Sequence, residues 1–504
     1  MLRSTALGSG VTILGVEVVD FPERARRDAC PGALQTHPAA DGAVARVRVP
    51  GGLLTARRLR ELGAAAADLG SGVVELTSRA NVQVRGLTGP AAARFAERMA
   101  AAGLLPSATH ERVRNILASP LAGLDGRGLL EIAPLVRELD AMLVSRPALA
   151  ELPGRFLFTL DDGRGDVAHL PADIAYIPLS VPASAESPLR SPHRPPAPAY
   201  EPATSMHEPA TSAHEPAASA SKPAVSVQGV VLLAGRDTGL RAGPHEAVNL
   251  MIDAAEAFLA ERAARGSAAW RVAELTDGPE AITTRLPAPP RSSAPGRAAA
   301  GEAVLPREPG APLLGLMPQA DGRVALVVMP PLGRLTAAQT AVLAAAARVG
   351  SGEVRLTPWR GVIVPGLAPE DAEQCRSRSE EAGLVTDPRS PWSGVSSCAG
   401  RPGCEKSLSD VQSDAAQATH QAATTYFTPQ GGPGPATVEA AGPRGVPLPV
   451  HWVGCERRCG RPSGDAVLVV ATGDGYRVEA GGGSVRAADI EDVAAAVTAA
   501  REAR

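Results

Sequence analysis

The sequence predicts an α+β fold built on an internal duplication, with halves related by a pseudo-twofold axis. Two observations predict it. The stretch "GSGVVELTSRANVQVRGL" (Gly70–Leu87) matches "GSGEVRLTPWRGVIVPGL" (Gly350–Leu367), and Ala102-Gly103-Leu104 keeps that offset with Ala382-Gly383-Leu384. Each copy also repeats one order of hydrophobic periods, β-α-β-β-α.

The elements follow in order. An apolar strand opens each unit, "AVARVRV" in the first and "RVALVVM" in the second. Thr55 and Thr336 then precede the Ala/Leu-rich helices "ARRLRELGAAAADLG" and "AAQTAVLAAAARVG". A threonine there can accept a first-turn N–H, so both are expected N-caps. Two alternating β segments come next, then a second helix that stops at Gly103 or Gly383. A ligand held between such halves lies on their axis.

Composition narrows the function. The chain has 504 residues, 44% of them apolar, which is ordinary for two or three globular domains. A net charge of −3 gives no basic field for nucleic acid or an anionic membrane. Lys222 and Lys406 are the only lysines, so an anion site must use arginine forks. No apolar run is long enough to span a bilayer. The start "MLRSTALGSGVTILGVEVVD" carries Glu17 and Asp20 and lacks a small-residue cleavage site, so no signal peptide is expected. Six cysteines are too few for a secreted disulfide scaffold, and a cytoplasmic location is expected. Residues 182–228 hold four Pro/Ala/Ser heptads (Tyr200–Val227), and 286–312 is similarly Pro-rich; neither has an apolar face to bury. His207 and His214 of the heptads are expected to be linker residues.

Four of the six cysteines fall in two Gly/Arg/Ser-rich loops, "SSCAGRPGCEKS" and "HWVGCERRCGRP". Cys398 and Cys404 are spaced C-x5-C; Cys455 and Cys459 are C-x3-C. Two such loops can bring thiolates to one centre. A 4Fe–4S cluster tolerates uneven spacing. Structural zinc prefers tighter pairs, and a disulfide is disfavoured by compartment. Cys375 is expected to be a buried thiol, and Cys30 has no partner in the sequence.

The cysteine pattern resembles the cluster motif of the sulfite/nitrite reductase superfamily. "LTSRANVQVRG", "VRNILASPLAG" (Val113–Gly123) and "LPGRFLFTLDDGRGD" (Leu152–Asp166) resemble further family segments, and the duplicated unit resembles the family's ferredoxin-like half-domain. The resemblance implies ferredoxin-like half-domains at 25–108 and 313–388. It implies a tetrapyrrole-binding α+β domain at 109–285, a linker at 286–312 and a 4Fe–4S-binding α+β domain at 389–504. Cys398, Cys404, Cys455 and Cys459 would hold the cluster.

Departures select a branch. The reductases ring a small anion with two arginines and two lysines. Here Arg155 fills one of those places, Leu157 stands in the next, and Ala80 replaces a family glutamine. With "LDDGRGDVA" and "HWVGCERRCGRP", the chain is similar to the precorrin-3B synthase branch. That resemblance implies precorrin-3A and dioxygen as substrates and a hydroxylated, lactonised ring as product. It also implies a 4Fe–4S cluster, a non-haem iron and a separate electron donor such as a ferredoxin or a nicotinamide-dependent reductase; a monomer is expected. The alternative is a sulfite or nitrite reductase with sirohaem. A tetrapyrrole or cluster carrier is a non-catalytic reading.

A flat polycarboxylate ring needs many forked cations. On the matching segments the expected contacts are Arg79, Arg114 and Arg155, also the catalytic candidates, together with Asn81, Gln83, Arg85 and Asn115. Arg457, Arg458 and Arg461 flank the last cysteines. Asp161, Asp162, Asp166, His169 and His451 are the candidates for the second iron, although "TLDDGRGD" also reads as an ordinary turn. His451 could instead orient a cluster sulfur. "GLDGRG" lacks the glycine spacing of a nucleotide fingerprint.

Overall fold

The computed structural model describes residues 28, 30–179, 227–287, 314–426, 448–462 and 464–502. The start of the chain, the heptads up to Ser226 and linker residues 288–312 lie outside the described residues. The first copy of the repeat runs Gly42–Val47, Leu53–Thr55, helix Ala56–Leu69, Val73–Leu76, Val82–Leu87 and helix Gly89–Ala101. The second runs Val324–Val328, Arg334–Thr336, helix Ala337–Val349, Glu353–Leu356, Val362–Leu367 and helix Pro369–Glu381. The predicted order is present, with one addition. A three-residue strand precedes each first helix, and it leaves its own half.

Leu53–Thr55 pairs antiparallel with Glu353–Leu356, and Arg334–Thr336 pairs antiparallel with Val73–Leu76. Each five-stranded sheet is therefore completed by its partner half. Sequence patterning does not show this, because a three-residue strand has no measurable period. The caps fall as expected: Thr55 Oγ1 accepts from Arg58 N, and Thr336 forms a full capping box with Gln339. Gly103 and Gly383 end the second helices at φ 71° and 79°, in the left-handed region that a glycine enters without strain.

The two first helices pack against each other along the pseudo-twofold. Leu59, Leu62, Ala65 and Ala66 join Leu343, Ala344, Ala346 and Ala347 in one buried core. Small residues let the backbones approach closely. A Cβ on Gly63 would lie 1.8 Å from Thr340 Oγ1.

Two further sheets repeat a second topology. Ile116–Ala118, Phe158–Leu160 and Ile174–Leu179 are parallel, followed by antiparallel Gln228–Leu233 and Arg236–Ala242. Val395–Ser397, Val450–Val453 and Val467–Thr472 are parallel, followed by antiparallel Gly475–Ala480 and Gly483–Ala487. The duplication thus extends to the whole α+β architecture. Among the described residues, no helix is long and apolar enough to cross a membrane.

Gly63→Val should push apart the helix seam. Overpacking of this kind costs about 1–3 kcal/mol, so the urea midpoint should fall. Adding Thr340→Ala should recover part of the loss, since it removes the atom the new side chain meets.

Candidate functional site

The cysteine loops leave the C-terminal ends of two adjacent parallel strands, Val395–Ser397 and Val450–Val453. Backbone bonds stitch them together: Cys398 N donates to Trp452 O at 2.8 Å and Leu408 N to Gly454 O at 2.7 Å. Gly454 has to be glycine, because a Cβ there would lie 1.8 Å from Ser407 Oγ. All four cysteines consequently line one cleft of about 690 Å³. Cys459 is exposed and the other three are half-buried.

Lining one cleft, the four thiols are placed to serve a shared centre. Burial pushes the Cys398 thiol up from its ordinary pKa, opposed by the N–H groups of Gly454 and Gly400. The Gly454 N–H reaches Sγ at 3.3 Å.

His451 holds the second loop. It is fully buried between the loops, with Nδ1 2.9 Å from Ser396 Oγ and Nε2 2.9 Å from the Cys459 carbonyl. A carbonyl only accepts, so Nε2 carries the proton and Nδ1 accepts from serine. Burial, with Arg360 nearby, lowers its pKa to about 4 and keeps it neutral. It orients the backbone at Cys459 rather than a sulfur.

The opposite wall is the strand pair of the first half. Asn81, Gln83 and Arg85 alternate outward while Val82 and Val84 enter the core. Arg46 donates to Gln83 at 2.8 Å, and Gln83 donates to Glu75 at 2.5 Å. Arg79 donates to the Arg155 carbonyl at 3.1 Å; burial, with Arg271 beside it, lowers its pKa to about 10. The second half supplies Arg334 and Arg360. Burial pulls Arg46 and Arg360 below the ordinary arginine value as well. Among these lining residues, the buried Arg46 Nε and Ser397 Oγ make no hydrogen bond, and Arg334 Nε lies 3.9 Å from Glu75 Oε1.

Several expected contacts lie elsewhere. Arg114 is buried and bound bidentately to Asp140 at 2.7 and 2.6 Å, with a third bond to Leu104 O. Its partner sits on helix Ala133–Ser145, which the local motif could not reveal. Asn115 is consumed by Gly154 O, Phe156 O and the Asn81 amide. Asn81 borders the cleft, but its oxygen is taken by Val49 N. The Arg155 side chain is exposed and lies over the Trp270 ring at 5.3 Å. Leu157 is a core side chain, so it faces no anion pocket. Of the last three arginines, Arg457 lines the cleft, whereas Arg458 pairs with Glu479. Sequence reasoning missed Arg46, Arg334 and Arg360; Lys406, one of two lysines and inside the first cysteine loop, also lines the cleft.

The residues proposed for a second iron do not fit one. Asp161, Asp162 and Asp166 do cluster, with ligand atoms within 4.8 Å. Asp161 accepts four backbone N–H groups, from Gly163, Gly165, Val167 and Ala168. Asp162 is chelated by Arg164, which also binds Asp125 bidentately. Asp166 accepts from Ser119 at 2.6 Å. His169 is exposed, and His451 is spent on Ser396 and Cys459.

This turn is the topological counterpart of the cysteine site. Ser119 N donates to Leu160 O as Cys398 N does to Trp452 O, and Leu129 N to Asp162 O as Leu408 N does to Gly454 O. Asp162 N donates to Ser119 Oγ at 3.1 Å, as Gly454 N does to Cys398 Sγ. A serine, carboxylates and Arg164 occupy the place that thiols line in the other sheet.

The nitrite/sulfite reductase ferredoxin-like half domain matches residues 37–102 and 317–382. A precorrin-3B synthase of Sinorhizobium sp is 25% identical over 459 residues, spanning 90% of this chain and 82% of that one. A chloroplastic ferredoxin–nitrite reductase of Zea mays is 24% identical, spanning 82% and 67%. The Mycobacterium tuberculosis NirA protein shares the fold, with a TM-score of 0.62 at 19% identity over 90% of this chain and 79% of that one. The chain is therefore an α+β protein with two ferredoxin-like half-domains, and it resembles precorrin-3B synthase within the sulfite/nitrite reductase superfamily.

Burial raises the Asp166 pKa to about 7, with Asp161 adding to it and the Ser119 bond opposing it. A carboxyl whose pKa is higher folded than unfolded holds its proton in the native state. Its contribution is complete below about pH 4 and is lost as pH rises through about 7. Asp166→Asn should therefore raise stability at pH 8 by more than about 1 kcal/mol and change it little at pH 4. Denaturation midpoints at the two pH values check this.

Proposed function

We propose that this chain is an oxidoreductase acting on a polycarboxylate tetrapyrrole, converting precorrin-3A to precorrin-3B with dioxygen as oxidant and a separate protein as electron donor. The observation that carries the proposal is the set of arginines from both halves, Arg46, Arg79, Arg334 and Arg360, that line one cleft with the four cysteines. A broad anion with many acceptors satisfies such a wall, and arginine forks match carboxylates.

Cys398, Cys404, Cys455 and Cys459 would hold a 4Fe–4S cluster, with His451 fixing the backbone of the last loop. When bound, that group supplies electrons singly. The protein's own part is binding and exclusion of water. Arg79, Arg46 and Arg360 are half-buried, and each bond they make to a carboxylate would be charge-assisted. Arg155, braced on Trp270, presents its carbonyl to Arg79 and fixes that side chain's approach.

A second reading, a sulfite or nitrite reductase with sirohaem, is favoured by the nitrite reductase relatives. The local chemistry weighs against it. Leu157, which stands where the reductases carry a cation, is in the core, and Arg114 is tied to Asp140. Anaerobically purified protein, incubated with precorrin-3A, reductant and labelled dioxygen, should yield a ring heavier by one labelled oxygen atom. An unchanged ring, with a Soret band from sirohaem in the protein as isolated, would establish the reductase.

Each of Cys398→Ser, Cys404→Ser, Cys455→Ser and Cys459→Ser should lose the brown cluster absorbance and the acid-labile sulfide. Full iron and sulfide in any one of them removes that cysteine from the ligand set. Arg79→Ala should weaken binding of the polycarboxylate ring at least tenfold, about 1.4 kcal/mol, with cluster content unchanged; titration of ring fluorescence or absorbance measures it.

A further inference from the structure

Arg85 lines the cleft, but its guanidinium is engaged by Asp41 and by the first cysteine loop. Its Nε and Nη2 bind Asp41 at 3.0 and 2.9 Å, and Nη2 also donates to the carbonyl of Gly403, the residue before Cys404. The strand arranges this. Ala43 pairs with Leu87 and Ala45 with Val84, so Arg85 and Gly86 bulge opposite Val44 alone. A bulge re-aims a side chain, and Gly86 takes it at φ 73°. The second half keeps the bulge but carries Pro365 there, which has no group to donate. Gly403 is matched to the contact: a Cβ there would lie 2.9 Å from Arg85 Nη2 and 3.1 Å from Asp41 Oδ2. Arg85 and Gly403 together separate the cysteine cleft from a second chamber of about 1120 Å³.

We propose that the Arg85–Asp41 pair is a clasp that positions the Cys404 ligand and sets the reduction potential of the cluster, and that Arg85 is a positioning residue rather than a substrate contact. The inference rests on the proposal that the four cysteines hold a cluster. The physical basis is electrostatic. A guanidinium bonded to the carbonyl beside a ligating thiolate favours the reduced, more negative cluster, and the half-buried carboxylate opposes it.

The test is a redox titration of the purified holoprotein, followed by the cluster's electron-paramagnetic-resonance signal, with no substrate added. Arg85→Gln should lower the midpoint potential and Asp41→Asn should raise it. Arg85→Lys, which keeps the charge, should restore the wild-type midpoint. Iron and sulfide content report whether each variant still assembles. Opposite shifts with intact clusters support the clasp. Shifts of the same sign, or no shift in either variant, overturn it. Absence of iron and sulfide from the wild-type protein would instead defeat the cluster reading on which the clasp rests.

Discussion

Two three-residue strands, exchanged between the halves, fix the geometry on which the rest depends. Leu54 and Leu335 at their centres are buried in the partner's half. Neither sheet is complete without the other, so the halves cannot rotate about their axis without breaking a ladder in each. The same crossing builds the cleft. Leu332, Gly333 and Arg334 lead into the swapped strand and line the site, while Gly333 O accepts the N–H of Leu76 on the facing wall. The seam at Gly63 and Thr340 then holds the two first helices at close range. A cleft wall made from both halves inherits the rigidity of the exchange.

Duplication supplies two of everything, and chemistry needs one. The turn Thr77–Asn81 recurs at Thr357–Gly361 with the same backbone bonds, and Ala80 and Arg360 share the left-handed conformation. On the first copy the outward side chains are Arg79, Asn81, Gln83 and Arg85. On the second, the same positions are Trp359, Gly361, Ile363 and Pro365. The larger sheets diverge the other way. Thiols line the turn after Val450–Val453, whereas its counterpart after Phe158–Leu160 is closed by Arg164, whose charge Asp162 and Asp125 stabilise against burial. One working site is assembled from the polar copy of each pair.

Much of this was legible in the residues. The repeat, its order of elements, the Thr55 and Thr336 caps and the glycine stops are local features, and local features carry sequence signals. The second pair of α+β domains was legible only through the family resemblance, not through a repeat in the residues. Its two sheets share topology and backbone bonding but no matching run of residues, and long segments interrupt each. Arg114 looked like a ligand contact because its motif is local, while Asp140, which captures it, lies a helix away. Arg46, Arg334 and Arg360 had no motif to announce them. Their roles follow from which strand crosses to which sheet. The acidic run at Asp161–Asp166 reads both as a turn and as a candidate iron site, and its hydrogen bonds form the turn.

The charge distribution of the cleft completes the argument. Arginines packed together out of water repel one another and lose hydration, and a protein selected for stability alone would pair them with carboxylates. Elsewhere in this chain it does so: Arg114 has Asp140, Arg164 has Asp162 and Asp125, and Arg271 has Asp173. Around the cysteines the pairing is incomplete. Arg46 and Arg79 are both pulled below the ordinary arginine value, chiefly by burial and with nearby arginines adding to it. Arg46 Nε makes no hydrogen bond, and Arg334 Nε lies 3.9 Å from Glu75 Oε1. Perturbed groups gathered in one cleft mark a functional site. A polycarboxylate ring of the kind proposed would relieve that repulsion by pairing with arginines of both halves at once, whereas a small anion would meet few of them.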